Sequence, residues 1–122
     1  MNRTKTRIDL EQRTKAFGLV TLKMLREVPT GVELKSIRRQ LTHSSTAVGA
    51  LYRAANLAES RLEYVGRIAA ARKEVAESEY WLSLIESLQA DIPGVTAVHQ
   101  EALALCEIFD RLRRTAEKGA KE

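Results

Sequence analysis

Only one cysteine, two prolines, two histidines and six aromatic residues occur among the 122 positions. The lone thiol, Cys106, can close no internal disulfide and build no thiolate metal cage. A reactive thiol wants cationic neighbours, whereas Cys106 lies between Leu105 and Glu107, so it reads as a small buried hydrophobe. The six glycines stand singly, which excludes a glycine-rich phosphate loop. Ser44 and Ser45 lack a nucleophile-elbow context, and their plainer role is tight helix packing. No apolar run approaches the roughly 18 residues of a membrane span. Met1 to Arg7 is basic, yet no apolar signal core follows it, and cytoplasm is the expected location. With so few aromatics, stacking platforms for bases are absent, and any nucleic-acid contact is expected to fall on the backbone.

The two histidines deserve a metal test, because four-helix bundles often hold two-metal carboxylate centres built on Glu-x-x-His pairs. Gln40 stands three before His43 and Thr96 three before His99, so neither makes the pattern. His43 is expected on a helix surface and His99 near a helix start, both without a chemical role. Glu74, Glu77 and Glu79 form a dense acidic cluster. Without a nucleophile, ligand set or phosphate loop beside it, the cluster reads as a charged helix face rather than an acid–base pair. The expectation is a protein with no enzymatic activity, no cofactor and no metal.

What the chain does have is periodicity. Apolar or small residues recur at gaps of three and four in four stretches: Leu10, Thr14, Phe17, Thr21, Met24, Val28; then Leu34, Ile37, Leu41, Ser44, Val48, Leu51, Ala55, Ala58; then Tyr64, Ile68, Ala71, Val75, Ser78, Leu82, Ile85; then Val98, Ala102, Leu105, Phe109, Leu112, Ala116. A helix turns once in about 3.6 residues, so each stretch holds one face toward a partner. Small or hydroxylated positions within the stripes (Thr14, Ser44, Ala71, Ser78) suit close helix approach.

Capping boxes at Asp9/Gln12, Thr30/Glu33 and Ser60/Glu63 mark helix starts. Pro29-Thr30-Gly31 and Pro93-Gly94 break the chain, and Gly119 marks the end of the last helix. The spacing predicts helices near 9–28, 32–58, 61–89 and 96–117, with a basic arm over 1–8 and a frayed tail over 118–122. The second and third are separated only by the Ser60 cap, which leaves a kinked continuous helix as the alternative. The whole is one all-α domain, an antiparallel up-and-down four-helix bundle, large enough for a single core at 44% hydrophobic residues.

Charge is lopsided. Residues 1–73 carry fifteen Lys/Arg against six Asp/Glu, whereas residues 74–122 carry five against ten. On the second helix Lys35, Arg38, Arg39 and Arg53 lie off the apolar stripe. With Arg61 and Arg67 they are the candidate contacts for RNA or DNA phosphates, an attraction that salt weakens. The opposed halves also suit head-to-tail contact between copies, hence a homo-oligomer that closes as a ring. Apolar residues outside the main stripes, Leu51, Trp81 and Leu84 among them, are the interface candidates, with Trp81 either an anchor there or an extension of the core.

One resemblance gathers these features. Asp9-Leu10, Arg13, Phe17, Gln40-Leu41, Ser44-Ser45, Val48-Gly49-Ala50, Tyr52-Arg53, Lys73-Glu74, Glu77 and Tyr80-Trp81-Leu82 resemble the four-helix-bundle proteins encoded in intervening sequences of bacterial large-subunit (23S) ribosomal RNA genes. The likeness spans about residues 8–117. It implies a bundle assembled as a ring of five, related to accessory proteins of diversity-generating retroelements, which resemble nucleic-acid-binding partners of a reverse transcriptase. It implies no enzymatic activity. The chain departs at Leu51, where many relatives carry Asn, and at Ala54, where many carry Glu.

Overall fold

The computed structural model describes residues 3–88 and 91–120, and among them there are four helices and no strand: α1 (Arg3–Leu25), α2 (Val32–Asn56), α3 (Arg61–Leu88) and α4 (Val95–Ala120). The all-α four-helix bundle expected from the stripes is therefore present. Met1, Asn2, the end of the expected third helix at 89 and the last two tail residues lie outside the described residues.

Cross-helix contacts fix the directions. Gly18 faces Ser45 while Gly49 faces Thr14 and Lys15. Ser78 meets Ser44 and Arg67 meets Ala54. Arg72 meets Asp110 and Glu86 meets His99. In each pair rising numbers on one helix meet falling numbers on the next, the pattern of an up-and-down bundle. The α1–α4 seam that closes it is much the loosest.

Nearly every stripe residue faces inward. Leu41, Val48, Ile68, Val75, Leu82, Leu105 and Phe109 are fully buried. The Phe109 ring packs on the buried Tyr52 ring edge-on, centroids 5.8 Å apart at 69°, a favoured aromatic geometry. Of the five buried hydroxylated residues, four are satisfied locally or across helices, while the Ser45 hydroxyl has no hydrogen-bond partner among the described residues. Thr14 and Thr21 donate to the carbonyls of Leu10 and Phe17, four residues back, at 2.9 and 2.7 Å. The Ser78 hydroxyl donates to the Ser44 hydroxyl at 2.8 Å in the α2–α3 core. Close approach is sharpest between α1 and α2: a Cβ at Gly18 would stand 3.2 Å from the Ser45 carbonyl oxygen.

Three helix limits differ from the expectations. α1 begins at Arg3, so the basic arm over 3–8 is helical and the Asp9/Gln12 pair lies inside the helix instead of capping it. A capping box stops nothing without a chain breaker before it, and Arg3 to Ile8 contains neither Gly nor Pro. α1 also ends at Leu25, because Arg26, Glu27 and Val28 turn tightly onto the carbonyls three residues back. At the other end α4 continues through Gly119 to Ala120, so the residues over 118–120 are helical rather than frayed.

Between α2 and α3 the chain breaks rather than kinks. Ser60 Oγ accepts from the Glu63 amide at 3.1 Å, and Glu63 Oε2 accepts from the Glu59 amide at 3.1 Å, a capping box shifted by one residue on its return arm. The Thr30/Glu33 box is not made: Gly31 occupies the cap of α2 without a side-chain bond. α4 follows a turn at Gly94, whose φ of 86° is a left-handed conformation that glycine reaches without a Cβ clash.

Candidate nucleic-acid interface

The small residues that bring α1 and α2 together leave a broad, shallow groove of about 520 Å³ above Gly18, Thr46 and Gly49. Cations flank it. Arg53 and Lys15 line one end of the groove, with Leu19 and Leu22 along it. By helical register Lys35 and Arg39, exposed on α2, continue the same face beyond the groove toward the α1–α2 loop, where Arg26 is exposed just past α1. Helical periodicity explains the stripe on α2: Lys35, Thr42, Thr46, Gly49 and Arg53 recur at steps of seven, four, three and four on a face turned away from the core. None of the side chains of Lys15, Arg26, Lys35, Arg39 and Arg53 makes a hydrogen bond or ion pair with a described residue. From Arg3 to Asn56 there are eleven Lys/Arg against four Asp/Glu, and of those acids Glu11 accepts from Asn56 at 2.8 Å. The face is thus electropositive and open.

The six candidates from the sequence divide. Lys35, Arg39 and Arg53 belong to this face. Arg38 turns away: its Nη2 donates to the Val28 carbonyl at 2.9 Å and to the Pro29 carbonyl at 2.5 Å, fastening the α1–α2 loop. Arg67 donates to the Ala54 carbonyl at 2.6 Å and pairs with Glu63, closing the end of α2. Arg61 reaches across the far end of the bundle to Gly119 of α4. Planar guanidinium groups satisfy orphan carbonyls at helix ends, and linear spacing does not distinguish that use from phosphate binding. Lys15 and Arg26 were absent from the candidates although they stand on the same side of the bundle. The signal lay in their offset from the α1 stripe, but which side of α1 meets α2 had to be known first.

Acidic and apolar groups gather on α3. Glu74 is held above the usual carboxylate range, by burial and then by Glu77 beside it, against the pull of His43 at 3.9 Å. Burial pushes the Cys106 thiol up, so it is no activated nucleophile. His99 does not stand free at its helix start. Its Nδ1 lies 2.9 Å from Glu86 Oε1 and its Nε2 2.7 Å from Glu79 Oε2. Burial opposes its charged form, but the two carboxylates outweigh that and raise its pKa. The described residues hold no cluster of three or more His, Cys, Asp or Glu that could bind a metal. Of the interface candidates, Leu51 and Trp81 are half-buried and pack against the core, and Leu84 is half-buried on α3. Tyr80 stands edge-on to Trp81 at 5.0 Å and is exposed.

The bundle has a counterpart of known structure. A crystal structure of a protein of unknown function from the S23 ribosomal protein family of Bacteroides thetaiotaomicron superposes with a TM-score of 0.75 at 19% identity, over 84% of this chain and 96% of that one. At that identity the likeness establishes the four-helix fold. No protein-family model and no curated protein matches the chain. No described helix is long and apolar enough to cross a membrane.

Proposed function

We propose that this chain is a non-enzymatic accessory protein of the cytoplasm that forms rings and holds RNA or DNA phosphates against its α1–α2 face. The observation that carries the reading is a set of five exposed cations on the α1–α2 side, Lys15 and Arg53 lining the groove and Arg26, Lys35 and Arg39 beyond it, whose side chains have no partner among the described residues. Unpaired charges of one sign on one face attract a polyanion and release its counterions. Gly18, Thr46, Gly49 and Ala50 let a backbone approach closely; Glu11 and Gln12 also line the groove, but no aromatic does among the described residues, so contacts are expected to fall mainly on phosphates. Binding is accordingly expected to be strong at low salt and indifferent to sequence.

A titration of fluorescent RNA and DNA oligomers across salt concentrations tests this. Replacing Lys35, Arg39 and Arg53 together by Gln is expected to flatten the slope of log affinity against log salt by about 2 to 3, at about 0.7 to 0.9 per phosphate contact. A wild-type affinity that ignores salt, or a triple variant that binds as before, would remove the reading.

A second reading rests on a separate observation. Leu19 and Leu22, 50% and 36% exposed, lie within the basic face, and Tyr80, 54% exposed, lies beside Trp81 on the acid-rich α3. Apolar residues ringed by opposite charges fit a protein interface, either between copies in the ring or with another protein in a scaffold. Under that reading Leu19→Ser lowers the mass measured by light scattering, and oligonucleotides do not bind at physiological salt.

A further inference from the structure

The bundle is not sealed at the end where α2 stops and α3 starts. There Thr4 to Asp9 of α1 are all exposed, and α1 and α4 meet more loosely than the other neighbouring helices. The gap is a cleft of about 1290 Å³. Its floor is Tyr52 and Ala55, 2% and 1% exposed. Its walls include the half-buried Tyr64, Ile108, Leu112 and Ala116. This is a concave apolar surface that solvent reaches.

The rim is of a different kind. Arg7, Arg61, Arg111 and Lys118 line the cleft from α1, α3 and α4, and among the described residues Glu59 is the one acid lining it. None of the four cations hydrogen-bonds to, or pairs with, an acid among the described residues. Elsewhere Arg13 pairs with Glu101, Arg67 with Glu63, Arg72 with Asp110 and Arg113 with Glu117, while Arg114 is exposed on α4. Arg61 is drawn inward over α4, where a Cβ on Gly119 would overlap its guanidinium. Four like charges convened over an apolar floor repel one another, and an anion seated among them relieves that repulsion.

We infer that this cleft binds a small amphiphilic anion, with a phosphate monoester or carboxylate head among Arg61, Arg111 and Lys118 and an apolar body on Ile108, Leu112 and Ala116. At about 1290 Å³ the cleft is larger than the roughly 300 to 1,000 Å³ common for ligand sites, its open mouth included, which leaves room for a small molecule to occupy part of it. A nucleic-acid strand would reach the rim but leave the apolar floor wet, so the site is separate from the polyanion face and shares no cation with it. A bilayer is the less suitable source of the head group, because the apolar surface is recessed beneath the rim instead of projecting from it.

Calorimetric titration of the full chain tests the inference with four probes below any micelle concentration: decyl phosphate, hexyl phosphate, decanol and inorganic phosphate. Decyl phosphate is expected to bind one per chain, at least about tenfold tighter than hexyl phosphate, as the extra methylenes leave water. Decanol and inorganic phosphate are expected to bind far more weakly, each lacking one half of the match. The double variant Arg61→Gln/Arg111→Gln should lose about tenfold or more of the decyl phosphate affinity. Ala116→Phe, which fills the cleft and keeps every cation, should lose it too. Circular dichroism checks that both variants keep their helices, and if either unfolds, competition between decyl phosphate and a fluorescent probe on the wild-type chain decides by the same ranking. The Lys35/Arg39/Arg53 triple variant should bind decyl phosphate unchanged, so loss of the nucleic-acid reading leaves this one standing. Equal affinity for decyl and inorganic phosphate, displacement by an RNA oligomer with no gain from chain length, or binding only to phosphatidic-acid vesicles would overturn it.

Discussion

Arg38 offers the sharpest separation between a folding role and a binding role. Its guanidinium spans the Val28 and Pro29 carbonyls at 2.9 and 2.5 Å, and the Val28 side chain beneath is buried. Replacing Arg38 by Ala removes both donors at once. A hydrogen bond from a charged donor contributes about 1.5 to 3 kcal/mol, and the exposed one to Pro29 belongs at or below the foot of that range. The expected loss is therefore about 2 to 3 kcal/mol, a large share of the about 5 to 15 kcal/mol typical of a domain. For a chain of this size that corresponds to a fall in Tm of roughly 6 to 15 °C. Urea unfolding followed by far-ultraviolet circular dichroism measures it. Arg38→Lys refines the test: it keeps the charge, yet both bonds come from Nη2 alone, and the lysine ammonium ends about one bond short of that position. Lys at 38 should recover little of the stability. Neither variant should change the salt slope of oligonucleotide binding by as much as the about 0.7 to 0.9 expected for one phosphate contact. Unchanged stability together with a slope flattened by about one would refute the assignment and return Arg38 to the binding face.

Three further outcomes follow from packing and titration. Gly18→Ala should destabilise by about 1 to 3 kcal/mol, since its Cβ would press on the Ser45 carbonyl backbone at 3.2 Å. Gly49→Ala, whose nearest contact would be an ordinary 3.4 Å, should be neutral or gain up to about 1 kcal/mol from helix propensity; thermal melts of the pair reverse the order if the α1–α2 crossing lies elsewhere. Ser78→Ala removes the donor to the fully buried Ser44 hydroxyl, leaving it only a long 3.5 Å bond to the Leu41 carbonyl, and should cost about 1 to 2 kcal/mol, while the Ser44→Ala/Ser78→Ala double variant costs less than the two singles added, a coupling that a double-mutant cycle detects. Because the folded chain holds the His99 proton more tightly than the unfolded one, His99 contributes stability that is complete below the unfolded histidine pKa of about 6.5 and fades as pH rises through the higher folded value. Stability measured across that window should therefore fall with pH in the wild type and much less in His99→Gln, and equal slopes would rule out the Glu79–His99–Glu86 clamp.

Periodicity was enough for the helices and the core. Leu41, Val48, Ile68, Leu82 and Phe109 sit inside because a repeat of three and four leaves each helix one greasy side, and burying that side dominates the energetics whatever the neighbours are. Helix breaks fell near Pro29 and Gly94, but α1 overran the expectation at Arg3, where no breaker stands, and α4 ran through Gly119 despite its glycine. The arginines behaved otherwise. Arg38, Arg39 and Arg53 are equivalent as residues off a stripe, but Arg38 is spent on the loop carbonyls while Arg39 and Arg53 stay free. That distinction depends on which carbonyls a neighbouring turn leaves unpaired, a fact of three-dimensional placement. His99 likewise lay in sequence thirteen and twenty residues from the acids that clamp it. Burial is set by a pattern each helix carries in its own residues. A charge's employment is set by what the other three helices bring within about 3 Å, and only the assembled bundle decides that.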